Sequence, residues 1–186
     1  MKKLFVSFLL ISVFVLLSGC GLNAKQTHPE MTAAFTKAET TAALQSPTIT
    51  YVSYANDRFG YSIDYPDSFI KKTTSDNGDG IILTSEDGNA ELTVLGYNNA
   101  LGDTAAAFLK NVTEAHSDNL IKTTQDNWAV ISWTDGDNVI YLRGVIGTGS
   151  INIFLLKYPK TQEDIYTPII TYLETSFKTP ATEERH

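Results

Sequence analysis

The sequence predicts an α+β domain, a mainly antiparallel β-sheet with two packed amphipathic helices. Three observations carry this. Short runs of alternating or continuous apolar residues recur between Asp/Asn/Gly turns. Two stretches near 105–116 and 165–176 switch to a helical period. The strand runs are joined by connections too short for parallel crossovers.

The elements follow in order. Ile49 to Tyr54 is β-branched and aromatic, which suits a strand. Tyr61, Ile63 and Tyr65 alternate with Ser62 and Asp64, and Pro66 stops the run. Phe69 to Thr73 is a further short strand. Ile81 to Ser85 and Ala90 to Tyr97 flank Glu86-Asp87-Gly88-Asn89, a hairpin pattern. Ala105, Phe108, Leu109 and Val112 share one helical face after Gly102-Asp103-Thr104, so a capped helix is expected to about His116. Strands resume at Leu120 to Thr124 and Trp128 to Trp133. Val139 to Ile146 and Ile151 to Tyr158 follow, each introduced by a Gly-containing turn. Asn152 is the one polar residue in Ile151 to Leu156, so this strand should be central, with both faces covered. Ile165, Ile169, Tyr172, Leu173 and Ser176 keep a helical period. Pro168 leaves two starts open: Thr167 as cap with Pro168 in the first turn, or a start near Thr161 with a kink at Pro168.

The N-terminus reads as an address. Lys2 and Lys3 precede an uncharged run from Leu4 to Leu17, shorter than the ~20 residues of a spanning helix. The run ends in Leu17-Ser18-Gly19-Cys20, which resembles the bacterial lipobox. The resemblance implies signal cleavage between Gly19 and Cys20 and a covalent diacylglyceryl group on the Cys20 sulfur. Cys20 is the only cysteine, and lipidation accounts for a lone thiol in an exported chain. Two acyl chains give stable anchoring, at ~0.8 kcal/mol for each buried methylene. The expected organisation is a signal peptide at 1–19, a lipid-anchored tether at 20–48, the α+β domain at 49–178 and a loose C-terminal tail at 179–186. The expected location is the extracytoplasmic face of the cell membrane.

Removing residues 1–19 takes away Lys2 and Lys3 and no acid, which moves the formal net charge from −7 to −9. An acidic domain disfavours nucleic acid, whose binding rests on neutralised phosphates. It is also not drawn to anionic lipid, so the anchor should supply the membrane contact.

Asn56-Asp57-Arg58-Phe59-Gly60-Tyr61-Ser62-Ile63-Asp64-Tyr65-Pro66 resembles the opening of the PsbP-like (PsbP/Mog) superfamily, where an aromatic-Gly-aromatic-Ser-Ile strand runs into a Tyr-Pro stop. The Ile153 to Pro159 strand and the closing helix through Phe177 are similar too, so the resemblance spans roughly 51–178. It implies a central antiparallel sheet with helices on its faces and a non-enzymatic role as a subunit or adaptor. It carries no catalytic residue over.

Catalytic and metal chemistry is thinly supplied. His28 lies in the tether, His186 ends the chain and only His116 falls in the domain, at a helix end where a cation is favoured. A nucleophile-histidine device and a zinc site both lack material. Ser68-Phe69-Ile70-Lys71 and Ser75-Asp76-Asn77 mimic two motifs of penicillin-recognising enzymes, without the helix that the nucleophile should open. Ser75 to Glu86 nearly spells a calcium loop, with Asn77, Asp79, Gly80, Ile82 and Glu86 at its third, fifth, sixth, eighth and twelfth positions. Ser75 stands where Asp belongs, so the turn reading is preferred and no metal is expected. The calcium alternative would use Asp76, Asp79 and Glu86. Trp128, Trp133, Tyr141, Phe154 and Tyr158 are expected in the core rather than on a binding surface.

The expected function is a non-enzymatic binding or accessory module for an envelope protein. A hydrolase of envelope polymers would instead need a cleft with paired carboxylates, and a solute-binding protein an enclosed pocket.

Overall fold

The computed structural model describes residues 48–116 and 119–186. The expected signal peptide, Gly19, Cys20 and the expected tether before Thr48 lie outside the described residues.

Nine strands and two helices follow the expected order. They are β1 (Tyr51–Asn56), β2 (Tyr61–Pro66), β3 (Lys71–Thr74), β4 (Gly80–Thr84), β5 (Glu91–Asn98), α1 (Ala105–Ala115), β6 (Asn119–Gln125), β7 (Trp128–Asp135), β8 (Asn138–Ile146), β9 (Ser150–Pro159) and α2 (Glu163–Ser176). Seven strands form one antiparallel sheet in the order β3-β4-β5-β9-β8-β7-β6. β9, whose Ile151 to Leu156 run has Asn152 as its one polar residue, holds the middle place. β1 and β2 form a separate two-stranded ribbon. Pro66 cannot donate to a ladder, and here it ends a strand that pairs with β1 and, at Ser62, meets Lys178 in a single antiparallel bridge.

Each face of the sheet has its own core. On the first, Ile81, Leu83, Leu92, Val94, Phe154, Leu156 and Tyr158 pack under Phe59, Tyr61 and Ile63 of the ribbon and Tyr166, Ile169 and Leu173 of α2. On the second, Ala129, Ile131, Trp133, Ile140 and Leu142 pack under Ala105 and Phe108 of α1. Thr104 caps α1 by accepting the Ala107 N–H at 3.2 Å.

Two regions depart from expectation. α2 takes the early start: a 3-10 turn at Lys160–Gln162 leads into Glu163, and Pro168 sits inside the helix. Glu163 and Asp164 favour that start by facing the positive end of the helix. Pro168 is on an exposed position, where solvent can serve the carbonyl left without a donor.

The second departure is the C-terminal segment, which is docked and not loose. Thr182 is buried, and its carbonyl accepts the N–H groups of Gly149 (3.0 Å) and Ser150 (2.8 Å). The Asn98 amide accepts the His186 N–H at 2.8 Å and donates to the His186 carbonyl at 2.7 Å. A Cβ on Gly147 or Gly149 would collide with the Thr182 or Glu184 backbone, so the 147–149 turn is a cradle only glycine can form. Composition marked this tail as polar, but the partners that hold it are backbone groups of a distant turn.

Candidate functional site

The two helices of the described residues leave part of the seven-stranded sheet uncovered. α1 lies on β6, β7 and β8. On that same face, β4, β5 and β9 present Ile82, Thr93, Leu95, Tyr97, Ile153 and Leu155, and no described element lies over them. Register places these side chains on one surface: Ile82 pairs with Thr93, Thr93 with Leu155, Leu95 with Ile153, and Tyr97 with Ile151. Ile82 is 41% exposed and Tyr97 38%, high values for large apolar groups on inner strands.

Tyr97 separates two hollows. One, of about 350 Å³, has Ile82, Thr93 and Leu95 beneath it and Ser75, Asn77 and Asp79 along its rim. The other, of about 400 Å³, runs between Tyr97, Leu142 and Leu155 of the sheet and Phe108 and Val112 of α1, and Asp103 also lines it. Both lie on the open face of the sheet. Burial pushes the Tyr97 phenol above its ordinary range, and the nearby Asp103 charge adds to the shift. Asp79 is held by Arg58 at 2.6 Å and by the Asn77 amide. Asp103 carries no ion pair among the described residues.

The calcium candidates are not brought together. Asp79 directly precedes β4 and Glu86 follows it, so the strand holds them apart by about 20 Å at ~3.3 Å per residue. Glu86 belongs to the β4–β5 turn, where its N–H donates to the Ser68 carbonyl at 2.8 Å. Asp76 is exposed in the β3–β4 turn. Among the described residues no three His, Cys, Asp or Glu side chains are grouped as metal ligands. The penicillin-enzyme mimicry also dissolves: Phe69 is buried and Lys71 opens β3, not a helix.

The remaining candidates serve packing. His116 caps the end of α1 through its N–H to the Thr113 carbonyl, and its ring stacks on Trp133 with centroids 4.1 Å apart. Trp133, Tyr141, Phe154 and Tyr158 are buried, and Trp128 is half-buried beside the Arg143 guanidinium. Each hollow contains a single carboxylate, Asp79 in one and Asp103 in the other.

The sequence reading passed over the surface that matters most here. Its trace was present in β5, where Leu92 and Val94 alternate toward one face while Leu95 and Tyr97 take the other. A strand apolar on both faces needs two covers, and the described residues supply only one.

No family model matches the chain, and no curated protein does. Solved structures do. The solution structure of cyanobacterial PsbP (CyanoP) from Synechocystis sp. PCC 6803 is similar with a TM-score of 0.54 at 14% identity, covering 71% of this chain and 94% of that one. The Saccharomyces cerevisiae Ran-binding protein Mog1p matches with a TM-score of 0.49 at 10% identity, over 73% of this chain and 98% of its own. Among the described residues no helix is long and apolar enough to cross a membrane. Sheet, ribbon and helices together give this chain the fold of the PsbP proteins, as the Asn56 to Pro66 segment implied.

Proposed function

We propose that this chain is a lipid-anchored, extracytoplasmic, non-enzymatic binding module that docks an envelope protein through the uncovered half of its sheet. The lipobox-like Leu17-Ser18-Gly19-Cys20 supports the anchor. The observation that carries docking is the apolar strip of Ile82, Leu95, Tyr97, Ile153 and Leu155, which no described element covers. Natural monomers seldom leave such continuous apolar surface without a use for it. The fold agrees with this role, since its likeness to PsbP transfers no catalytic residue.

The competing readings have less support. A hydrolase needs two carboxylates at a set separation across one cleft, and each hollow supplies one. Solute capture needs enclosure, and both hollows open on the sheet surface.

The test is cross-linking on intact cells with wild type, Cys20→Ala and Ile82→Asp. Wild type should yield one envelope protein. Ile82→Asp should lose it with an unchanged melting temperature, because the side chain is exposed. Cys20→Ala should move the chain into the soluble fraction. Recovery of no partner, together with activity on a wall polymer, would overturn the reading.

A further inference from the structure

The uncovered strip has the dimensions of a helix seat. Packed helices lie 8–10 Å apart, and two strand spacings come to about 10 Å. A helix lying beside α1 at that distance would sit over β9 and β5. Its near flank would meet the hollow between α1 and Leu155, and its far flank the hollow over Ile82 and Leu95. The Tyr97 ring would fit between the two flanks. α1 shows what this face accepts, because Ala105 and Phe108 pack in the same way onto Ile131 and Leu142.

Charge selects among occupants. Asp103 is the one carboxylate lining the hollow beside α1, and it carries no ion pair among the described residues. At the rim of the outer hollow, Asp79 is already matched by Arg58. The chain is acidic overall, with 21 acidic residues against 14 basic ones. A second copy would bring the same sign of charge to Asp103, whereas a basic group relieves it.

We infer that the occupant is an amphipathic α-helix of the envelope partner, with large apolar side chains on both flanks and a Lys or Arg at the end that meets Asp103. This rests on the docking reading above. It assigns the recognition mode to helix in groove, not strand addition. Of the two edge strands, β3 is short and carries Lys71 and Lys72, and β6 carries Lys122, charges that discourage strand addition.

The experiment is site-specific photo-cross-linking of the full anchored chain in intact cells. p-Benzoylphenylalanine replaces Tyr97, Ile82 or, as a control outside the seat, Ile121. Adduct peptides are sequenced by mass spectrometry. The proposal expects adducts from positions 82 and 97 on one partner segment, with apolar residues spaced three and four apart and a basic residue at one end. Asp103→Lys should lower the adduct yield about tenfold and leave the melting temperature unchanged. Adducts on a segment of alternating apolar residues, on lipid or on a second copy overturn the helix. Adducts to an envelope protein from Ile121 alone overturn this seat while the module reading stands. No envelope adduct from any position overturns both.

Discussion

Glu174 on α2 accepts two hydrogen bonds from β8, one from the Tyr141 hydroxyl at 2.7 Å and one from Arg143 Nη1 at 3.0 Å. Tyr141 and Arg143 are two residues apart on one strand, so both reach the same face. The Arg143 guanidinium also lies over the Trp128 ring, 4.7 Å from its centroid. One carboxylate thus pins the last helix to the sheet, while the arginine is oriented by an aromatic face. Tyr141→Phe should cost about 1–2 kcal/mol, because it removes a hydrogen bond to a charged acceptor. A double-mutant cycle between Arg143 and Glu174 should show a coupling of about 0.5–1 kcal/mol that shrinks in 1 M salt, since both groups keep solvent contact. Urea unfolding of the four variants checks this. A coupling near zero would mean that Tyr141 alone holds Glu174.

Tyr61 and Tyr141 make stability fall at high pH. Burial raises both phenols well above 10. Tyr61 is pushed further by Tyr54, and Tyr141 by its hydrogen bond to Glu174. The Tyr61 hydroxyl also shares its one proton between the carbonyls of Asp79 (3.0 Å) and Val94 (3.2 Å), a role that only the neutral phenol fills. Below pH 10 both states keep the proton and nothing is lost. Above it the unfolded chain releases a proton that the folded chain holds, so stability drops by about 1.4 kcal/mol per pH unit for each such group. Melting temperature should therefore decline from pH 10 upward. Tyr61→Phe and Tyr141→Phe should each flatten the slope. Equal slopes in wild type and both variants would contradict the assignment.

The docked C-terminus should be part of the cooperative fold. Deleting residues 179–186 removes the acceptor of the Gly149 and Ser150 N–H groups, the Asn98 contacts and the Glu183 carboxylate bonded to the Thr148 hydroxyl at 2.6 Å. At about 1 kcal/mol for each buried bond, the loss should be about 2–3 kcal/mol. Amide exchange at Gly149 and Ser150 should accelerate in the truncated chain. Asn98→Ala should reproduce about 1 kcal/mol of the effect. If the truncated chain unfolds at the same urea concentration as wild type, the segment is a passive attachment.

Periodicity was enough to locate the strands, because alternation and turn residues act locally. Asp87 shows why: its carboxylate accepts from the Ser85 hydroxyl and from the N–H and amide of Asn89, all within four residues. The central place of β9 was legible too in its apolar run, but the cover expected on both faces is missing over Ile153 and Leu155 among the described residues. Three things depend on distant partners and were hidden. The ribbon's separation from the sheet is set by how Phe59 and Tyr61 pack. The tail's seat is set by Gly147 and Gly149, far from it in sequence. The open strip exists only because α1 lies to one side, which no local pattern records. The calcium loop shows the opposite failure, a spacing that matches a motif while β4 runs straight through it.

Asn152 is the residue where sequence and structure pose the same question. It is the polar interruption in the central strand, fully buried, and neither atom of its amide has a hydrogen-bond partner among the described residues. Gly96 on β5 lies directly opposite, and a Cβ there would meet Asn152 Oδ1 at 2.6 Å and the Phe59 ring at 2.5 Å. The amide therefore fills space that a glycine leaves, beneath an aromatic cover. A buried amide without partners costs about 1–3 kcal/mol. Asn152→Leu keeps the branching at Cγ and removes that cost, so it should stabilise the fold by about 1 kcal/mol after some strain from the larger side chain. Gly96→Ala should do the reverse and lose about 1–3 kcal/mol by forcing the Phe59 ring outward. Urea midpoints of the two variants decide the matter. A marked loss in Asn152→Leu would show that the amide is held by a partner, and the central strand would then owe part of its stability to a polar group inside the core.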